Sequence, residues 1–296
     1  MRVWVGALGC TLLPALIFGQ PGGPDSYGKA MNQFREERAA GLSGPEGWLS
    51  LVALEWLKPG DTTIGSGNGE SVHLAHAPAH LLTLHVDAKG LVSLANVAAG
   101  TTVNGKPALA GDLPQGDSAA DIRNNGLLLT IIERGDRLYL RVKDAYSPTR
   151  VRFHGLNWYP IDSQFRVTAR WIPAKTAHSL TIPNVLGQVS QENSPGVAEF
   201  TLGGQTLRLA PIQEDRNSLF FIFRDATSRT TTYGAGRFLS TALPSNGLLS
   251  PGSLVLDFNQ AVNPPCGYTA YATCPLPPVE NRLAIAIPAG EKRYHE

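Results

Sequence analysis

The 296-residue chain is short of charge, cysteine and methionine. Charged residues make up 17% of it, against roughly 25% in an average globular protein. They nearly cancel, with 25 Lys and Arg against 24 Asp and Glu. A net charge of +1 offers no basic footprint, so no nucleic-acid partner is expected. Three cysteines are too few for a disulfide framework. The chain also lacks a G-x-x-x-x-G-K-[ST] loop, a G-x-G-x-x-G turn, an H-E-x-x-H helix and a G-x-S-x-G elbow. Those absences disfavour P-loop and dinucleotide chemistry, zincin proteolysis and the usual α/β-hydrolase reaction. Beyond the first twenty residues no apolar run approaches the ~18 residues that a membrane span needs.

Turn chemistry is plentiful instead. Gly 31 and Pro 22 accompany a 43% hydrophobic content, which is too apolar for disorder and too low in glycine and proline for collagen. The composition reads as globular, turn-rich and β.

Residues 1–20 read as a secretory signal. Arg2 supplies the positive start, Val3 to Phe18 the apolar stretch, and small Gly19 precedes polar Gln20. Cleavage after Gly19 or Gln20 makes the protein secreted or periplasmic, with no stable membrane span left. It removes Cys10 and leaves Cys266 and Cys274, an even pair expected to bridge in an oxidising compartment. Such a bridge closes a small loop, a local staple of roughly 2–3 kcal/mol in the chain-entropy model.

Residues 25–42 form the clear helix, with Tyr27, Met31, Phe34 and Arg38 on one stripe at helical spacing. Gly41, Gly44 and Pro45 end it. From Trp48 onward the period changes to two. Short strands are expected at 91–95, 127–133, 137–142, 165–171, 197–202, 206–210, 219–223, 253–258 and 283–287. Asn104-Gly105 and Gly203-Gly204 suit two-residue hairpins with positive φ. The fold class is therefore all-β, mainly antiparallel sandwich-like or barrel-like sheets, with one N-terminal helix. The expected organisation is a signal at 1–20, helix and connection at 21–47, a β-sandwich at 48–175 and a second β domain at 176–296.

His73, His76, His80 and His85 are crowded enough to suggest a metal. On extended chain, however, His73 and His76 point to opposite faces, as do His80 and His85, so no metal site and no cofactor is expected.

The densest chemistry lies near the C-terminus. Asp225, Asp257 and Glu280 are candidate catalytic carboxylates, in which an acid–base pair would carry hydrolase-type chemistry beside Arg237. Tyr233, Arg237, Asn259, Asn263, Tyr268 and Asn281 are candidate contacts for a small polar or anionic ligand, with arginine as the planar fork and tyrosine as an apolar wall with a polar tip. A third reading gives all of them a purely structural use, since buried charges must be paired. The sequence leaves oligomeric state and ligand identity open.

Two family resemblances enter here. TTIGS (62–66), SVHLAHAPAH (71–80) and GTTVNGKPAL (100–109) fall in the order of the turns of a forkhead-associated domain. Ser66 stands where that domain has its phosphate-gripping arginine and Ala77 where it has a hydroxyl donor, so the resemblance implies the sandwich shape without the phosphopeptide grip. The segment from Trp48 to Lys292 resembles domain-of-unknown-function family 1684. The residues that carry this are GWLSLVALEWLKPG (47–60), LRVKDAYSPTRVRFHGLNWYPID (140–162), the FFIFRDATS and TYGAGRFL runs (220–239) and the 256–292 segment. The resemblance implies kinship and no activity.

Overall fold

The computed structural model describes residues 24–114, 120–135, 137–213 and 215–294; the expected signal and its cleavage point lie outside them. Helix α1 spans Pro24–Ser43. Among the described residues the sheets are mostly antiparallel, and none closes into a barrel. Contacts divide the described chain into residues 40–153 and a second unit made of 24–39 with 154–294.

In the first unit the strands are β1 Leu51–Leu57, β2 Gly60–Gly65, β3 Val72–His73, β4 Leu82–Val86, β5 Val92–Ala95, β6 Thr102–Val103, β7 Lys106–Pro107, β8 Gly111–Asp112, β9 Asp121–Asn124, β10 Leu127–Arg134 and β11 Arg137–Asp144. They form a sheet in the order β1-β11-β10-β9-β6-β7 and another in the order β3-β2-β4-β5-β8. One apolar core takes Ala53, Ile122, Leu129, Leu140 and Val142 from the first sheet and Ile64, Leu82, Leu84 and Leu94 from the second. That sharing makes the pair a sandwich. Alternation explains which residues enter the core, because successive side chains along a strand face opposite ways. Asn104-Gly105 sits at the two-residue turn between β6 and β7 with φ of 50° and 76°. Asn125-Gly126 makes an equivalent turn between β9 and β10, at 40° and 83°.

The second unit contains β12 Arg166–Pro183, β13 Val189–Leu202, β14 Gln205–Leu209, β15 Ser218–Phe223, β16 Arg237–Ala242 and β17 Gly252–Asp257. A four-stranded sheet runs β14-β13-β12-β17, and β15 pairs with β16. Phe165, Ala169 and Trp171 turn inward while Arg166, Thr168 and Arg170 stay exposed, as the period-two pattern requires. Gly203 and Gly204 close the β13–β14 hairpin with φ of 57° and 76°.

Two expectations are corrected. The domain boundary falls at 153/154, because β12 runs unbroken across the expected break at 175/176 and pairs with β13 on both sides of it. Residues 283–287 form no strand. Prolines flank them at 277, 278 and 288, removing ladder donors; the backbone of 224–226 takes up Leu283 N–H and the Ile285 carbonyl, and side chains take up Ile287.

Candidate functional site

Those side chains are Asp225 and Arg237. Arg237 begins β16 with its side chain wholly buried, and Asp225, just past β15, is buried too. The guanidinium meets Asp225 at 2.6 Å, donates to the carbonyls of Ile287 (3.0 Å) and Ala289, and lies over the Phe223 ring at 5.2 Å. Asp225 accepts from Thr227 N–H (2.8 Å), Thr227 Oγ1 (2.6 Å) and Ile287 N–H (3.2 Å). Only Nε of Arg237 lacks a partner in this arrangement. The pair therefore fixes the irregular backbone at Ile287 and Ala289, and has no face toward solvent.

The other expected residues are brought near one another only in part. Asp257, at the end of β17, is buried and accepts from Tyr27 Oη with both oxygens at 3.0 Å, and from Asn259 N–H and Nδ2 at 3.1 Å. Burial pushes its carboxyl above the ordinary aspartate range, although Asn259, Tyr27 and Arg166 at 3.5 Å oppose that. Asn259 Nδ2 also donates to the Asp162 carbonyl at 2.8 Å. Asn281 clasps two backbone segments, accepting from Ala210 N–H and donating to the carbonyls of Ala210 and Ile222. Glu280 is exposed. Tyr233 donates to the Cys266 carbonyl at 2.8 Å. The three candidate carboxylates thus have three different surroundings.

A carboxylate that the sequence reading missed, Glu291, organises the rest. It is fully buried, accepts from Asn263 N–H (3.1 Å), Asn263 Nδ2 (2.9 Å) and Tyr268 Oη, and faces Arg38 Nε at 3.7 Å. Burial raises its carboxyl above the ordinary glutamate range despite Arg38, and raises Tyr268 as well. Arg38 also donates to the Asn263 carbonyl at 2.8 Å. The helical stripe thus meets the C-terminal segment at both ends, Tyr27 on Asp257 and Arg38 on Glu291, with Met31 and Phe34 buried between.

The bridge expected between Cys266 and Cys274 is not formed: both are free thiols, side by side. Of the clustered histidines, His76 holds Asp144 (2.6 Å), His80 holds Glu70 (2.9 Å) and His85 holds Asp61 (2.6 Å).

An open site lies in the first unit, around the Asn125-Gly126 turn. A groove of about 220 Å³ is lined by Glu46, Thr102, Arg123, Asn124, Asn125 and Gly126, among others. Arg123 links Glu46 at 2.5 Å and Asp121 at 3.2 Å, and both ends of this chain of charges are about half exposed. Arg123 holds the Glu46 carboxyl below the ordinary range. The Lys143 ammonium donates to the Glu46 carbonyl at 2.6 Å, and burial lowers its pKa. Gly126 is required at the rim twice over: its φ is 83°, and a Cβ there would meet the Tyr146 ring at 2.7 Å. Tyr146 is itself exposed and set edge-on to His76. The Asn-Gly dipeptide was the available sequence signal for this turn.

No curated protein matches the chain. A solution NMR structure of an uncharacterized protein from Haloarcula marismortui is 30% identical, covering 48% of this chain and 78% of its own, with a TM-score of 0.40. The model of a family described as protein of unknown function (DUF1684) matches residues 151–292. That span is narrower than the resemblance from Trp48 to Lys292, and GWLSLVALEWLKPG falls outside it. Through residues 151–292 the chain is similar to the DUF1684 family.

Proposed function

We propose that the protein is an exported binding protein that takes a small polar ligand in the groove beside Arg123, rather than at Arg237. The carrying observation is the contrast in commitment: the Arg123 side chain is 42% exposed beside a space of about 220 Å³, whereas that of Arg237 is fully buried against Asp225 and two carbonyls. A ligand offering both donors and acceptors suits a wall that presents Glu46, Arg123, two asparagines and a threonine. The apolar stretch from Val3 to Phe18 behind Arg2 supports export.

A forkhead-associated-like shape for residues 62–112 draws support from their place in two facing sheets and from Asn104-Gly105 at a turn. Ser66 in the arginine position argues against phosphopeptide capture.

The test is a panel of simple sugars, polyols and free amino acids at millimolar concentration, followed through amide chemical shifts. Shifts centred on Asn124, Asn125 and Gly126 that vanish in Arg123→Ala are expected. Shifts confined to residues 225–291, or none from any compound, would overturn the reading.

A further inference from the structure

Cys266 and Cys274 differ in a way that suits successive steps of one reaction. Cys266 lies in the short turn Pro265–Gly267 and is partly exposed, while Cys274 is buried. The Cys266 amide donates to Sγ of Cys274 at 3.0 Å, so the two side chains share one small space. Behind Cys266, its carbonyl accepts from Tyr233 Oη at 2.8 Å, and Gly267 packs on the Tyr233 ring. Ahead of Cys274, the chain becomes a strap on the β12–β13 hairpin tip. Val185 N–H donates to the Cys274 carbonyl at 3.1 Å, Leu276 N–H donates to the Pro183 carbonyl at 2.7 Å, and Asn184 pairs with Pro275.

We propose that Cys266 and Cys274 form a redox-active dithiol that exchanges with small-molecule or protein disulfides, Cys266 attacking first and Cys274 resolving. The Cys266 thiolate attacks one sulfur of R–S–S–R; the new bond to Cys266 forms, the R–S–S–R bond breaks, and one RS⁻ leaves to take a proton from water. Cys274 then gives its proton to solvent and attacks Sγ of Cys266, expelling the second RS⁻. In balance, the two cysteine thiols are oxidised and the incoming disulfide is reduced to two thiols. The accessible sulfur is the attacker because a bulky disulfide cannot reach the buried one. The hydrogen bond from the Cys274 thiol supports the order, since it draws the Cys266 thiol below the ordinary cysteine range against the opposing effect of burial. Oxidation ties the turn held by Tyr233 to the strap that holds the hairpin tip.

Equilibrating the purified full-length chain carrying Cys10→Ser, whose remaining cysteines are Cys266 and Cys274, across ratios of oxidised to reduced glutathione, then alkylating and weighing it, tests this. Both thiols should be labelled in reducing buffer and neither in oxidising buffer, with slower amide exchange at Val185 and Leu276 after oxidation. In Cys274→Ser a glutathione adduct should accumulate on Cys266, and in Cys266→Ser the adduct on Cys274 should form at least tenfold more slowly. Thiols that stay fully alkylatable in every ratio would overturn the proposal without recourse to a variant, and so would adducts forming equally fast at either cysteine in folded variants.

Discussion

The buried arginine and carboxylate sites of the second unit and the open groove of the first use charge in opposite ways. In the second, Asp225, Arg237, Glu291 and Asp257 are buried, and protein groups meet them. In the first, Glu46, Asp121 and Arg123 remain about half exposed along an open groove. The residue types are the same. What differs is the number of backbone groups that each side chain must serve. Where irregular chain such as 283–289 lacks a ladder, its polar backbone needs partners, and ionised side chains supply them most strongly. A regular hairpin such as β9–β10 meets its own backbone needs and leaves its side chains free for solvent or a ligand.

The sharpest way to break this comparison is at the buried pair. Arg237→Met leaves Asp225 without its counter-charge, and losing one partner of a buried pair typically costs about 3–5 kcal/mol. Denaturant titration should show that loss. A change below about 1 kcal/mol would mean that Arg237 is not what holds the 283–289 segment.

A smaller and pH-dependent effect is expected at Glu291. Burial raises its folded-state pKa, so the stability it contributes is full below the ordinary glutamate value of ~4.3 and is lost as pH rises through the folded value. Glu291→Gln does not titrate. The melting temperature of the native protein minus that of the variant should therefore fall as pH rises from about 4 to about 8. A flat difference would show that Glu291 is not held against its charge.

The smallest effect should come from Arg123→Ala, because exposed ion pairs contribute only about 0–1 kcal/mol. Its urea midpoint should barely move. A loss comparable to that of Arg237→Met would make the groove part of the scaffold and erase the distinction between the two sites.

Much of the fold was legible in the sequence because period and turn chemistry act locally. The stripe of Tyr27, Met31, Phe34 and Arg38 named the helix face that meets the C-terminal segment, and Phe165, Ala169 and Trp171 named a core face. Residues 283–287 show where locality fails. Their apolar alternation reads as a strand, but flanking prolines and the Asp225–Arg237 pair hold them otherwise. Glu280 and Glu291 make the same point among carboxylates. Nothing in their immediate sequence separates them, yet one is exposed and the other is the centre of a buried cluster, because Arg38, Asn263 and Tyr268 come from distant parts of the chain. The groove is harder to read because DIRNNG (121–126) looks like ordinary turn chemistry, and Glu46 and Thr102, which also line it, come from other parts of the chain.

The helix seated on Asp257 and Glu291 also sets an order in time. In chain order, residues 24–39 come well before the carboxylates that receive Tyr27 and Arg38. All of residues 40–153 appear in between as an uninterrupted segment with its own core. The contiguous sandwich is therefore free to fold on its own residues alone, whereas the second unit must hold its first helix in waiting until Asp257 and Glu291 can receive it.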